Sequence, residues 1–138
     1  MILVTRNFKV SEFDCKDGTP YPQEWIESRL VPLAESIQEI RDEVDMPIVI
    51  VSGYRSPAYN QRIKARRGNA SGVATNSQHV EGRAADIMCP GIPAKELHEI
   101  AMHMHRHGKL TRLGAIVLYP ESGWVHVDTF KAPDGHLR

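Results

Sequence analysis

Long apolar runs are missing from this chain. Nowhere does it hold the roughly eighteen consecutive apolar residues of a membrane span. Its opening, M-I-L-V-T-R-N-F-K, lacks the basic-then-apolar order of a secretory leader. The expectation is a protein made in the cytoplasm without a signal peptide, and with no membrane partner. Cysteine is scarce too: Cys15 and Cys89 form no C-x-x-C pair, so neither a zinc ribbon nor a dithiol redox motif is indicated. Cys89 lies close after Asp86 but reads as a small buried hydrophobe rather than a soft metal ligand. One disulfide is allowed and nothing requires it. Net charge is also absent, because 17 basic and 17 acidic side chains cancel. That removes the global field that would draw the protein to nucleic acid or an anionic membrane. Repeats and low-complexity tracts do not occur. What is present is 138 residues, a single domain over 1–138 that can bury about two-thirds of its unfolded surface unaided.

Residues 1–22 read as a lead-in with turn chemistry at Lys16-Asp17-Gly18-Thr19-Pro20, pinned to the core by Phe8 and Phe13. From Gln23 to Asp45 the pattern is helical, with Leu33, Ile37, Ile40 and Val44 on one face. Pro32 divides it, suiting the first turn of a second helix after a shorter one with Trp25, Ile26 and Leu30. The apolar I-V-I-V run predicts a strand over Met46–Tyr54 buried on both faces. Ser56 as N-cap and Pro57 at the first position open a helix closed by Gly68, and a small polar loop follows over 69–76. Arg83–Met88 is expected as a strand, with Gly82 letting the backbone pass close to a metal or a neighbouring strand. Pro93 starts a helix with a stripe of Leu97, Ile100, Ala101 and Met104, ending at Gly108; its His98, His103, His105 and His107 read as a solvent-exposed face. Leu113–Tyr119 and Trp124–Thr129 form a hairpin, and 130–138 an exposed tail. These elements assemble as an α+β fold: a small antiparallel sheet of strands near 47–53, 84–88, 114–119 and 124–129, helices packed on one side, and a metal in a cleft across the sheet.

The chemistry concentrates in S-Q-H-V-E-G-R-A-A-D, Ser77 to Asp86. His79 and Asp86 offer the imidazole nitrogen and carboxylate oxygen that a zinc-type ion takes, and a catalytic zinc needs three such ligands and one open position. Trp124–Asp128, W-V-H-V-D, supplies the third in His126; alternation places Trp124, His126 and Asp128 on one face of a strand and Val125 and Val127 on the other.

S-x-H-x-x-G-x-A-x-D followed by W-V-H-V-D resembles the zinc D-Ala-D-Ala carboxypeptidase family, whose members cut bacterial cell-wall peptides. S-G-Y-R-S-P-A-Y-N (Ser52–Asn60) and F-K-V-S-E-F near the start resemble the same family, so the likeness runs from about Phe8 to Thr129. It implies zinc-dependent hydrolysis of peptidoglycan stem or cross-link peptides, of carboxypeptidase or endopeptidase (endolysin) type, by a monomer acting on the cell wall after release or as part of a virion. It also implies that Arg55 lies beside the metal, where a guanidinium grips a peptide carboxylate or steadies an oxyanion; a structural arginine paired with an acidic neighbour is the alternative. Ser77 either donates to substrate or tightens its turn. Tyr54 and Trp124 either line the cleft or pack in the core.

Relatives in that family carry an acidic residue three positions before the last zinc histidine, where this chain has Gly123. Asp128 then becomes the first candidate for the general base, with the orientation of His126 as its equal alternative. Glu81 and Glu121 follow. Two rival readings remain. Gly123 favours a catalytically inactive zinc-containing module that binds peptidoglycan or is structural, as the family's distant likeness to the hedgehog signalling domain makes conceivable. The basic run Arg62, Lys64, Arg66, Arg67 would have to carry any nucleic-acid partner, but in a neutral chain it reads as a solvated helix end, and no nucleic acid is expected.

Overall fold

The computed structural model describes residues 2–67, 77–119 and 121–138; the loop expected over 69–76, Gly68 and Pro120 lie outside them. The lead-in is more ordered than its turn-rich sequence suggests. β1 (Leu3–Thr5) and β2 (Phe8–Lys9) pair antiparallel, and a 3₁₀ turn follows over Val10–Phe13. Phe8 and Phe13 are fully buried and meet edge to face. Short 3₁₀ and π turns over Gln23–Trp25 and Ile26–Leu30 lead into α1 (Val31–Val44), where Pro32 sits in the first turn. Asp45 ends that helix in the left-handed conformation.

β3 (Val49–Ser52) is shorter than its apolar run and is not buried on both faces. It lies at the edge of a four-stranded sheet, bonded only to β4 (Ala84–Met88); Ile50 faces inward with its partner Ile87, while Val49 points to the other face and stays 43% exposed. Ser56 caps α2 (Pro57–Arg67), its hydroxyl accepting the Tyr59 N–H at 3.1 Å. After β4 come α3 (Ala94–Arg106), β5 (Ala115–Tyr119) and β6 (Trp124–Asp128). The sheet order is β3-β4-β6-β5 and every pairing is antiparallel.

The period-two pattern gives this sheet two different faces. Ala85, Ile87, Ile116, Val125 and Val127 form the inner one, covered by Leu33, Ile37 and Ile40 of α1 and Leu97, Ala101 and Met104 of α3. Each of the larger side chains removed from water contributes about 1.5–3 kcal/mol before chain entropy is counted. The fold is thus α+β, with helices on one side of a small antiparallel sheet. The histidines of α3 are not one exposed face: His103 and His107 are exposed, whereas His98 and His105 are half-buried, seven residues apart beside the apolar stripe, and His98 Nε2 meets the Ile116 carbonyl at 3.2 Å. Both cysteines are buried and free. Among the described residues no helix is long and apolar enough to cross a membrane.

Candidate metal centre

The second face of the sheet carries the polar residues. Asp86 on β4 is the register partner of His126 on β6, Ala84 of Asp128, and Ser52 on β3 of Asp86. Register partners share a face, so Asp86, His126 and Asp128 rise together from the side turned away from α1 and α3. His79 reaches them from a tight turn. The Ser77 hydroxyl accepts the His79 N–H at 3.1 Å and the Ser77 carbonyl accepts the Val80 N–H at 2.9 Å, so Ser77 shapes this turn. Gly82 closes it with φ +69°, and a Cβ there would meet Tyr21 and Trp25 side chains at 2.8 Å. Its side-chain space is thus taken by aromatic rings, while its N–H donates to the His79 carbonyl at 3.2 Å. The Tyr21 hydroxyl donates to the Gly82 carbonyl.

The turn is clamped to the segment after β3. The Arg55 N–H donates to the His79 carbonyl at 3.1 Å, and His79 Nδ1 lies 2.8 Å from the Gly53 carbonyl. A carbonyl only accepts, so the proton sits on Nδ1 and the Nε2 lone pair is left facing Asp86. Gly53 is required by packing, because a Cβ would stand 2.8 Å from the Phe13 backbone.

His79, Asp86 and His126 bring one ligand atom each to within 4.8 Å of one another, the one such group of three among the described residues. His79 Nε2 lies 3.4 Å from Asp86 Oδ1, and His126 Nδ1 lies 3.3 Å from the same oxygen. Charge-assisted hydrogen bonds run shorter, at about 2.7–2.9 Å. Ligands held at about 2.0–2.2 Å from one tetrahedral ion stand roughly 3.3–3.5 Å apart. The spacing therefore fits ligands to a common cation better than it fits hydrogen bonds. On the far side of the ring, His126 Nε2 meets Asp128 Oδ2 at 2.7 Å.

Electrostatics point the same way. Burial lowers the pKa of His79, which keeps its lone pair available. Burial raises that of Asp86, but the His126 and His79 imidazoles beside it outweigh this and hold the carboxyl well below its usual range. Burial also disfavours charge on His126, yet Asp128 and Asp86 together push its pKa up to about 9.

The other expected site residues divide into two groups. Arg55 is beside the cluster, its guanidinium 3.6 Å from Asp86 Oδ2. Asp128 is buried, with Oδ1 accepting the Phe130 N–H at 3.0 Å and Oδ2 shared by His126 and Arg138. Trp124 is half-buried on the same face as His126. Tyr54 is in the core, edge to face with Tyr21 and Trp25. Glu81 lies 3.5 Å from Arg29 and 3.6 Å from Arg83, and Glu121 is exposed in the β5–β6 turn. Arg62 lies 3.6 Å from Asp17 and over the Tyr59 ring, which ties part of the basic run to the lead-in.

A family model described as peptidoglycan L,D-endopeptidase MepK matches residues 14–132, a span that takes in both motifs and every residue of the cluster. The chain belongs to this peptidase family. The MepK of Escherichia coli K12 is 36% identical over 83 residues, which cover 60% of this chain and 40% of the relative. The probable MepK of Haemophilus influenzae is 35% identical over 82 residues, covering 59% and 39%. The chain thus matches well under half the length of these MepK relatives.

Three features of the site were missed in the sequence. The Gly53 carbonyl sits inside the recognised S-G-Y-R run, but a backbone acceptor has no letter of its own. Tyr119, the register partner of Trp124, places its ring 6.3 Å from that of His126; a four-residue hairpin turn predicts that pairing. Arg138 carries no signal at all.

Proposed function

We propose that this domain is a metal-dependent hydrolase of peptidoglycan peptides, of endopeptidase rather than D-Ala-D-Ala carboxypeptidase type, with zinc held by His79, Asp86 and His126. The observation that carries the reading is the pair of 3.3 and 3.4 Å separations around Asp86 Oδ1, made by imidazoles whose other nitrogens are already bonded. Two imidazoles and one carboxylate suit zinc. When bound, zinc supplies Lewis-acid polarisation of a carbonyl and makes water acidic near neutral pH.

The chain's own groups fill the remaining roles. Arg55, at the edge of the cluster, receives a substrate carboxylate or the oxyanion that develops during attack. Trp124 and Tyr119 offer apolar surface for the peptide beside His126. Asp128 orients His126 by accepting its Nε2–H, the role that its filled hydrogen-bonding positions favour over proton transfer. Glu81, paired with Arg29 and Arg83, and Glu121, in the β5–β6 turn, are the carboxylates that remain for proton transfer. The endopeptidase preference rests on the family description and on the two MepK relatives. Their names specify an L,D bond, one joining centres of opposite configuration.

The test is to digest purified cross-linked peptidoglycan with the metal-loaded protein and identify the products by mass spectrometry. Shorter muropeptides with a newly exposed amine support the endopeptidase; release of D-Ala alone would return it to the carboxypeptidases. The alternative, a non-catalytic wall-binding module, is favoured by Gly123. Its φ of +80° admits an acidic side chain only with strain. Retention on peptidoglycan with no cleavage across several wall types would select it.

A further inference from the structure

We propose that Arg138 is a positioning residue of the metal centre, acting on His126 through Asp128. The inference rests on the metal-centre reading above. The segment after β6 is mostly exposed, yet its last described residues are tied down at three points. The Arg138 N–H donates to the Gly114 carbonyl at 2.8 Å. Leu137 packs against the core, and the Arg138 guanidinium lies 5.1 Å from the Phe130 ring centroid. From there Arg138 donates to Asp128 Oδ2, the oxygen that also receives His126 Nε2.

The local chain is built for this return. Gly114 donates to the Asp128 carbonyl at 2.7 Å while its own carbonyl takes Arg138. A Cβ at Gly114 would overlap the Phe130 carbonyl, so only glycine lets the returning backbone lie against the start of β5. Phe130 is itself bonded to Asp128 Oδ1. Asp128 is therefore gripped from both ends, by a backbone N–H on one oxygen and by Arg138 on the other.

A carboxylate held this way has one orientation left, and that orientation fixes the His126 ring. With Nε2–H directed at Asp128, Nδ1 is the nitrogen that faces Asp86 and His79. Outer partners of a ligand imidazole are typically worth 10–100-fold in metal affinity; Arg138, one bond further out, belongs at the lower end. A lysine would keep the charge but lose the planar fork that reaches Oδ2 from over the Phe130 ring.

The experiment is a zinc-affinity measurement by competition with a chromophoric chelator, on the full chain, for wild type, Arg138→Ala, Asp128→Asn and the double variant. Leu137→Ala serves as a control that loosens the same segment without touching Asp128, and circular dichroism checks that each variant is folded. Expected are about tenfold weaker zinc binding in Arg138→Ala, little change in Leu137→Ala, and no further loss when Arg138→Ala is added to Asp128→Asn. A parallel loss in Leu137→Ala, additive losses in the double variant, or wild-type affinity in Arg138→Ala would overturn the inference and leave the metal centre standing. Absence of stoichiometric zinc in the wild type would overturn both.

Discussion

His126 and Asp128 stand two residues apart on one face of β6, and the imidazole Nε2 of the first lies 2.7 Å from the carboxylate of the second. That contact separates the two roles open to Asp128. An orienting carboxylate and a general base make different demands on the same oxygen.

Asp128→Asn is therefore expected to weaken zinc binding by about 10–100-fold, with activity falling in step at limiting metal and recovering in part when metal is saturating. Competition titration and a metal-dependence curve measure both. Unchanged affinity with a lost turnover number would make Asp128 the base after all.

Gly53→Ala tests the clamp on His79. The new methyl meets the Phe13 backbone at 2.8 Å, and neither chain can yield as a flexible side chain would. Overpacking of this kind costs about 1–3 kcal/mol. Moving the Gly53 carbonyl also releases His79 Nδ1, so stability in urea and zinc affinity should fall together. A loss of stability with zinc affinity intact would show that the carbonyl does not set the His79 tautomer.

At Gly123 the expected outcome is purely a backbone effect. Its φ is +80° and a Cβ there touches nothing within 4 Å, so Gly123→Ala should lower the urea midpoint by an amount equivalent to about 1 kcal/mol without changing the slope. Glu121→Gln, two residues earlier, should leave zinc affinity alone and reduce cleavage. Full activity in that variant would remove Glu121 from proton transfer.

Asp17 makes a pH-dependent prediction away from the site. Its carboxyl is held well below the usual range by the Thr19 N–H, with further hydrogen bonds from Thr19, Cys15 and the Ser56 hydroxyl that caps α2. A depressed folded-state pKa means that the stabilisation is fully present above the ordinary value of 3.8 and is lost as pH falls through the folded value. Asp17→Asn should melt below wild type at pH 7, with the gap closing only under about pH 4. A gap that closes between pH 7 and 5 would contradict this account.

How much of this was legible in the sequence depends on the kind of signal. The helices over 31–44, 57–67 and 94–106 follow apolar spacing and cap chemistry that are local, and their bounds came close. The sheet face of His126 followed from alternation alone. β3 was misjudged because an apolar run does not say how many faces of its strand are covered; Val49 pairs with Met88 on the face that the helices leave open. The β1–β2 hairpin was missed because three residues and two give no periodicity to count. His79, Asp86 and His126 were singled out through side chains whose chemistry is rare in a small motif, and the structure brings the three together. Gly53 and Arg138 act through a carbonyl and through a contact between distant parts of the chain, and neither leaves a local pattern.

The central claim is that the His79, Asp86 and His126 cluster holds a metal on which hydrolysis depends. The most direct measurement follows peptidoglycan cleavage by the same preparation as purified, after removal of metal by a chelator, and after addition of one equivalent of zinc, beside His126→Ala treated identically. The account predicts cleavage that disappears on chelation and returns with zinc in the wild type, and no cleavage by His126→Ala at any stage. Cleavage that persists in the chelated protein, or in folded His126→Ala, would contradict it.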